Sequence, residues 1–257
     1  MQHRYFISLA FDGTAYRGWQ VQPGEQTIQG NLESVMGQLL GEPISVVGAG
    51  RTDTGVHARF FVAHFDTSME PKAIRSLRLV HKLNKVLPHD IAVQDIYPVH
   101  AMAHARFDAI SRTYIYQICS KKDPFQINKS WFFERRLNEE AMQQAADLLF
   151  SFTDFSSFSK SNTQVKTNIC KIMHARWTRD EHLLFFEIRA DRFLRNMVRA
   201  IVGTLVEVGL GKIGPEDFAG IIEARNRSEA GYSAPGCGLF LADIEYPEAM
   251  LEKPFYG

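Results

Sequence analysis

The sequence lacks most of the features that commit a chain to a special class. Its three cysteines, Cys119, Cys170 and Cys237, stand far apart and form no CxxC pair, which excludes a disulfide framework and a cysteine zinc ribbon. Neither sign of charge dominates, with 29 Lys and Arg against 29 Asp and Glu. No apolar run is long enough to span a bilayer; the stretch from Met197 to Leu210 is interrupted by Arg199 and Glu207. The opening residues Met1-Gln2-His3-Arg4-Tyr5 contain no apolar signal core, so a reducing cytoplasm is the expected location. Eighteen Gly and ten Pro are too few for a collagen-like or low-complexity chain. What is present is a globular composition, 45% hydrophobic over 257 residues, enough for one large domain or two smaller ones.

The neutral total conceals an uneven distribution. Residues 1–105 balance nine basic side chains against nine acidic ones, residues 106–214 carry seventeen against twelve, and residues 215–257 carry three against eight. A basic middle can present a cationic face to a polyanion even when the whole chain is neutral, because counterion release follows local charge. The same counts also fit scattered, solvated surface charge.

Periodicity divides the chain into two halves, 1–105 and 106–257. In the first, strands are expected at Arg4–Phe11, Ile44–Val47, Phe60–Phe65 and Ile91–Ile96. Between them lie a helix capped by Thr27 and a basic helix from Lys72 to Val86. In the second half, strands are expected at Thr113–Cys119, Ile169–Trp177, Leu183–Ile188 and Leu239–Ile244. Helices are expected at Glu139–Phe150, Phe193–Val208 and Pro215–Ala224, with a polar loop over Ser156–Asn168. This β-α-β-β rhythm, with adjacent strands spaced as hairpins, favours an α+β fold with antiparallel or mixed sheet.

The densest group of chemically able residues is Gly48-Ala-Gly-Arg-Thr-Asp-Thr-Gly-Val-His-Ala58. Gly50 and Gly55 permit turns that present Asp53 outward, and Arg51 lies close enough in sequence to hold its carboxylate ionised. A turn whose aspartate caps backbone amides fits equally well. Two nucleotide-binding signatures fail: Gly50-x4-Gly55 is followed by Val-His instead of Lys-Ser/Thr, and Gly48-x-Gly50 lacks the third glycine. His100 and His104 have helical metal-ligand spacing, but Ala101 stands where a catalytic glutamate would be, so no metal is expected.

Basic residues recur at helical spacing at Arg75, Arg78, Lys82 and Lys85, and again at Arg192, Arg195 and Arg199. Lys160, Lys166 and Lys171 lie in or beside the polar loop, near Phe155 and Phe158. Cations interleaved with aromatics suit an RNA backbone with splayed bases, and they equally suit a solvated helix face. Tyr114, just after Arg112, fits either sheet packing or a ring that stacks on a flipped base.

Taken together, these residues resemble the tRNA pseudouridine synthase A family. Gly50-Arg-Thr-Asp-Thr-Gly-Val-His-Ala58 is similar to its catalytic loop, and Phe11-Asp-Gly-Thr-Ala-Tyr-Arg-Gly-Trp-Gln-Val-Gln22 to its N-terminal segment. His104-Ala-Arg-Phe107 with Arg112-x-Tyr114-x-Tyr116 resembles its tyrosine motif. Asp154-Phe-x-x-Phe158, Phe193-x-x-x-Met197-Val-Arg199-x-x-Val-Gly203 and Gly238-Leu239-x-Leu241 resemble later ones. The chain departs from the pattern at Thr54, where alanine is common, and in the charged Asp191-Arg192 and Arg195.

The resemblance implies two ferredoxin-like α+β halves whose sheets join around a central active-site cleft. It also implies isomerisation of uridine to pseudouridine in the tRNA anticodon stem-loop, with base flipping, by a cytoplasmic homodimer that needs no cofactor and no metal. Asp53 would be catalytic, with Arg51 its ion-pair partner. Tyr114 would stack on the uracil, Arg199 would be the basic residue of the site, and Leu239 would line the base pocket. From the spacing of the basic residues, and not from the resemblance, Arg192, Arg195, Lys160 and Lys166 would contact RNA. Two other readings are a catalytically inactive RNA-binding module, against which the complete Arg51, Asp53, Tyr114 and Arg199 set argues, and a glycoside hydrolase. The latter needs a second carboxylate that no comparable loop marks.

Overall fold

The computed structural model describes residues 2–160 and 167–250. They form two compact units, one of residues 2–110 with 241–250 and the other of Ser111–Phe240.

The first unit runs β1 (His3–Phe11), α1 (Ile28–Leu40), β2 (Val46–Gly48), β3 (His57–Thr67), α2 (Pro71–Leu77), α3 (Leu79–Val86) and β4 (Ile91–Val99). Strand β1 is central, antiparallel to β3 on one side and to β4 on the other, and β2 pairs with β3. Successive side chains point to opposite faces, and Tyr5, Phe6, Ile7, Ser8 and Leu9 are all buried, so β1 is covered on both faces as well as paired on both edges. Tyr5 stacks on Phe65, and Phe6 meets the edges of Tyr97 and Tyr246. Helix α1 begins where Thr27 accepts from the amide of Gly30 and ends at Gly41, which adopts the left-handed conformation open to glycine. Its Ile28, Leu32 and Met36 are fully buried.

The basic helix expected over Lys72–Val86 is two helices, broken at Arg78, which is left-handed with φ of 52°. Ile74 and Leu79 are both buried. Five residues apart on one continuous helix, they would point about 140° away from each other. The break re-aims the second helix so that Leu79 and Leu83 reach the core as well, and it removes the single face that Arg75, Arg78, Lys82 and Lys85 were expected to share.

The second unit runs β5 (Ser111–Cys119), the two-residue β6 (Trp131–Phe132), α4 (Glu139–Leu148), β7 (Ile172–Asp180), β8 (Leu183–Ala190), α5 (Met197–Gly209) and α6 (Pro215–Glu223). The last strand, β9 (Leu239–Glu245), starts in the second unit and ends in the first. Strand β8 lies between β5 and β7, antiparallel to both. Helix α4 packs on α5, α6 and β7. Helix α5 is buried almost all round, as expected of a helix apolar on every side. Gly203 lets it approach the chain closely, since a Cβ there would lie 1.8 Å from the carbonyl oxygen of Tyr232. Among the described residues, no helix is long and apolar enough to cross a membrane.

Candidate active site

In the first unit, β2 and β3 form a hairpin with Val46 opposite Phe65 and Gly48 opposite Ala63, and the connection carries Arg51 and Asp53. Strand β3 starts at His57, three residues earlier than the sequence pattern suggested, so the connection is short and tightly held. The amide of Val56 donates to the carbonyl of Asp53 at 3.2 Å, closing a turn through Gly55, whose φ is 74°. Asp53 is half-buried, and Arg51 is exposed.

Residues 12–19 support this loop through the main chain. The amide of Trp19 donates to the carbonyl of Thr52 at 3.3 Å, and that of Gly55 to the carbonyl of Tyr16 at 3.4 Å. The amide of Gly13 donates to Nδ1 of His57 at 3.1 Å. Two glycines make this approach feasible. A Cβ at Gly13 would sit 2.0 Å from the carbonyl oxygen of Val56; one at Gly18, where φ is 88°, would sit 2.2 Å from that of Thr52. The supporting segment is itself pinned: Trp19 stacks on Phe61 with centroids 4.2 Å apart, and the Tyr16 hydroxyl donates to Asp90 at 2.5 Å. Burial and that carboxylate push the Tyr16 hydroxyl well above its ordinary pKa, so it remains a donor.

In the second unit, Tyr114 lies on β5 opposite Ile188, half-buried, and its ring meets Phe193 edge-on with centroids 5.2 Å apart. Phe193 belongs to a loop over residues 191–196 that Asp191 organises. Its carboxylate accepts from the amides of Lys171 and Arg192, and the Arg112 guanidinium donates to its carbonyl at 2.9 Å. Arg199, in the first turn of α5, donates through Nε to the carbonyl of Ala234 at 2.7 Å while the Ala234 amide donates back to the Arg199 carbonyl. The next carbonyl, Pro235, accepts from the Tyr116 hydroxyl at 2.8 Å. Burial holds that hydroxyl protonated, far above its usual pKa. Gly238 lies against the Tyr116 ring, where a Cβ would come within 2.8 Å, and leads into Leu239, which is buried. The structure thus ties Tyr114 to Phe193, and Arg199 and Tyr116 to the strap that ends at Leu239.

A model of the family described as tRNA pseudouridine synthase matches residues 145–247 of the chain. The tRNA pseudouridine synthase A of Parabacteroides distasonis is 52% identical over 96% of this chain and 97% of its own length. Those of Bacteroides fragilis and Bacillus subtilis are 53% and 40% identical, over 97% and 95% of this chain and 98% and 99% of their own. The chain belongs to the tRNA pseudouridine synthase A family. It is therefore a synthase of the isomerase class, and the matched stretch contains Arg199 and Leu239 while the full-length relatives span Asp53 and Tyr114 as well.

The basic residues of this synthase are arranged differently from the helical pattern. Helix α5 begins at Met197, preceded by Asn196 in a left-handed conformation with φ of 68°, so of Arg192, Arg195 and Arg199 only the last is helical. Phe193 leaves the helix to reach Tyr114, and the Asn196 amide group donates to the Ser233 hydroxyl at 2.6 Å. Arg192 is half-buried and Arg195 exposed; Lys160, exposed, donates its backbone amide to the Arg195 carbonyl. Lys166 lies outside the described residues. Phe155 and Phe158, expected beside those lysines as surfaces for bases, are fully buried, and Phe158 stacks on Phe218. Their role is in the core. Residues 100–104 form turns and no helix, so His100 and His104 do not share a helical face.

Sequence reasoning assigned no role to Gly13, Gly18, Tyr116 or Phe193. The two glycines were visible inside the N-terminal motif, but their partners lie more than thirty residues away and local pattern does not reach them.

Proposed function

We propose that this chain converts uridine to pseudouridine in the anticodon stem-loop of tRNA, with Asp53 as the catalytic carboxylate. The N1–C1′ bond breaks, a C5–C1′ bond forms, the C5 proton is lost to solvent and N1 gains one. The product is an isomer, so no oxidant, imported group or cofactor is required. What the reaction needs is one well-placed carboxylate acting as nucleophile or base. The observation that carries this reading is the hairpin tip bearing Asp53, whose backbone is fixed by residues 12–19 through Gly13 and Gly18.

In this reading Arg51 is the ion-pair partner of Asp53. Tyr114, already braced by Phe193, stacks on the flipped uracil and offsets the few kcal/mol of unstacking. Arg199 carries positive charge at the base or its phosphate, and Leu239 lines the apolar side of the base pocket. Arg192, Arg195, Lys160 and Lys166 contact the RNA backbone. Two ferredoxin-like halves, 1–105 and 106–257, make up the chain, and the enzyme acts as a cytoplasmic homodimer. The β1-α1-β2-β3-α2-α3-β4 order of the first unit, with β1 between β3 and β4, supports the ferredoxin-like assignment.

The test is incubation of the purified chain with tRNA transcript tritiated at C5 of uridine, in the presence of EDTA. The expected result is tritium released to water, with pseudouridine recovered from the anticodon stem-loop after nuclease digestion. Absence of both would overturn the proposal.

A further inference from the structure

The connection from β4 to β5 holds an aromatic ring out in water. Phe107 is 73% exposed and Met102 83%, while Ala103 and Ala105 between them are fully buried. This loop is tied down at almost every residue. The His104 amide donates to the Asp108 carboxylate at 2.7 Å, and the Asp108 amide donates to the His104 carbonyl at 3.1 Å. Nδ1 of His104 accepts from the amides of Arg106 and Phe107, and Nδ1 of buried His64 accepts from that of Ala105. The Arg4 guanidinium donates to the Ala103 carbonyl at 3.0 Å, and the Tyr246 hydroxyl to that of Ala105. An apolar ring on a slack loop would fold back onto the surface; this one is fixed facing outward by its backbone.

An arginine and a histidine lie beside the ring. The Arg106 guanidinium lies 5.7 Å from the Phe107 ring centroid, and the His104 ring lies 4.2 Å from it, tilted by 34°. The Asp108 carboxylate accepts from the His104 amide, and Asp66 is in a double contact with Arg4 at 2.7 and 2.8 Å. Burial lowers the pKa of His104, consistent with its ring nitrogen accepting from two amides, so Arg106 supplies the positive charge.

We propose that Phe107, with Arg106 beside it, is a stacking platform for an unpaired base of the RNA substrate, additional to the uracil assigned to Tyr114. A ring offers any base a π-face, and the adjacent guanidinium meets the phosphate that accompanies it. This inference rests on the RNA reading above.

The experiment is binding of unmodified tRNA transcript over a range of salt concentrations, with conversion measured alongside. Phe107→Ala weakens binding by about tenfold or more at unchanged salt slope and unchanged melting temperature, since the ring is mostly in water. Phe107→Tyr restores affinity to within about threefold and Phe107→Leu does not, because stacking needs a π-face. Arg106→Gln lowers the salt slope by about one phosphate contact. Wild-type affinity in Phe107→Ala, or rescue by leucine equal to rescue by tyrosine, overturns the platform. So does a change of oligomeric state on gel filtration with Phe107→Ala, which would assign the patch to a second copy of the chain. If the wild-type chain neither binds nor converts tRNA, the functional reading itself falls and the platform with it. If the wild type does both and Phe107→Ala does so equally well, only the platform falls.

Discussion

The residues assigned to chemistry are held in two different ways. Asp53 sits on a loop supported by main chain: amides of Gly13, Trp19 and Gly55, carbonyls of Tyr16 and Thr52, and glycines that allow the approach. Tyr114 and Arg199 are held by their own side chains, one against Phe193, the other on the Ala234 carbonyl. The contrast separates function from support in the first unit and merges them in the second. The cradle bonds of residues 13–19 run to main-chain groups and to His57, whereas replacing Arg199 removes a donor to the Ala234 carbonyl together with the charge.

The comparison can be broken most directly at the cradle. Gly18→Ala forces a Cβ to within 2.2 Å of the Thr52 carbonyl oxygen at a φ unfavourable to alanine. A displacement on the order of 1 Å at a reacting group costs about a hundredfold in rate. Gly18→Ala is therefore expected to lower turnover by about that factor while tRNA affinity, measured separately, changes little. Equal losses in both would mean that the cradle serves binding instead of positioning.

A smaller effect sharpens the other side. Tyr114→Leu is expected to lower kcat/KM by roughly 5- to 150-fold, the range for one base stacked on one ring, and Tyr114→Phe by much less. Arg199→Ala should lower the melting temperature as well, since it deprives the Ala234 carbonyl of a charged donor worth about 1–3 kcal/mol. Thermal melts of the two variants beside Asp53→Asn test the distinction; it is lost if Arg199→Ala melts like the wild type.

The smallest effect is on pH. Burial, reinforced by His104 and Arg4, pushes the pKa of His64 down to about 4, against an ordinary value of 6.5. Above pH 6.5 the ring is neutral in folded and unfolded chains alike. Between about 6.5 and 4 the unfolded chain binds a proton that the folded one refuses, so stability falls as pH falls through that window. His64→Asn, whose side-chain oxygen can still accept from the Ala105 amide, should flatten the decline in melting temperature between pH 7 and 5. Parallel curves for both proteins would contradict this.

Much of this was legible in the sequence. Alternation located the long strands and Thr27 marked the start of α1, while the residue types between Gly50 and His57 left Asp53 open between a turn cap and a catalytic group. Most of the failures depend on packing that local pattern does not show. Arg78 and Asn196 break helices in a left-handed conformation that no glycine announced, because buried Leu79 and the contact of Phe193 with Tyr114 require it. Phe155 and Phe158 lie in polar sequence yet belong to the core. The two residues of β6 are too few to carry any period.

The most direct test of the account is a single-turnover assay of Asp53→Asn on C5-tritiated tRNA, with affinity and melting temperature measured on the same preparation. Asparagine keeps the shape of the side chain and removes its charge. No tritium release above background is expected, with affinity within about twofold of wild type. Release at the wild-type rate would remove Asp53 from the centre of the reaction.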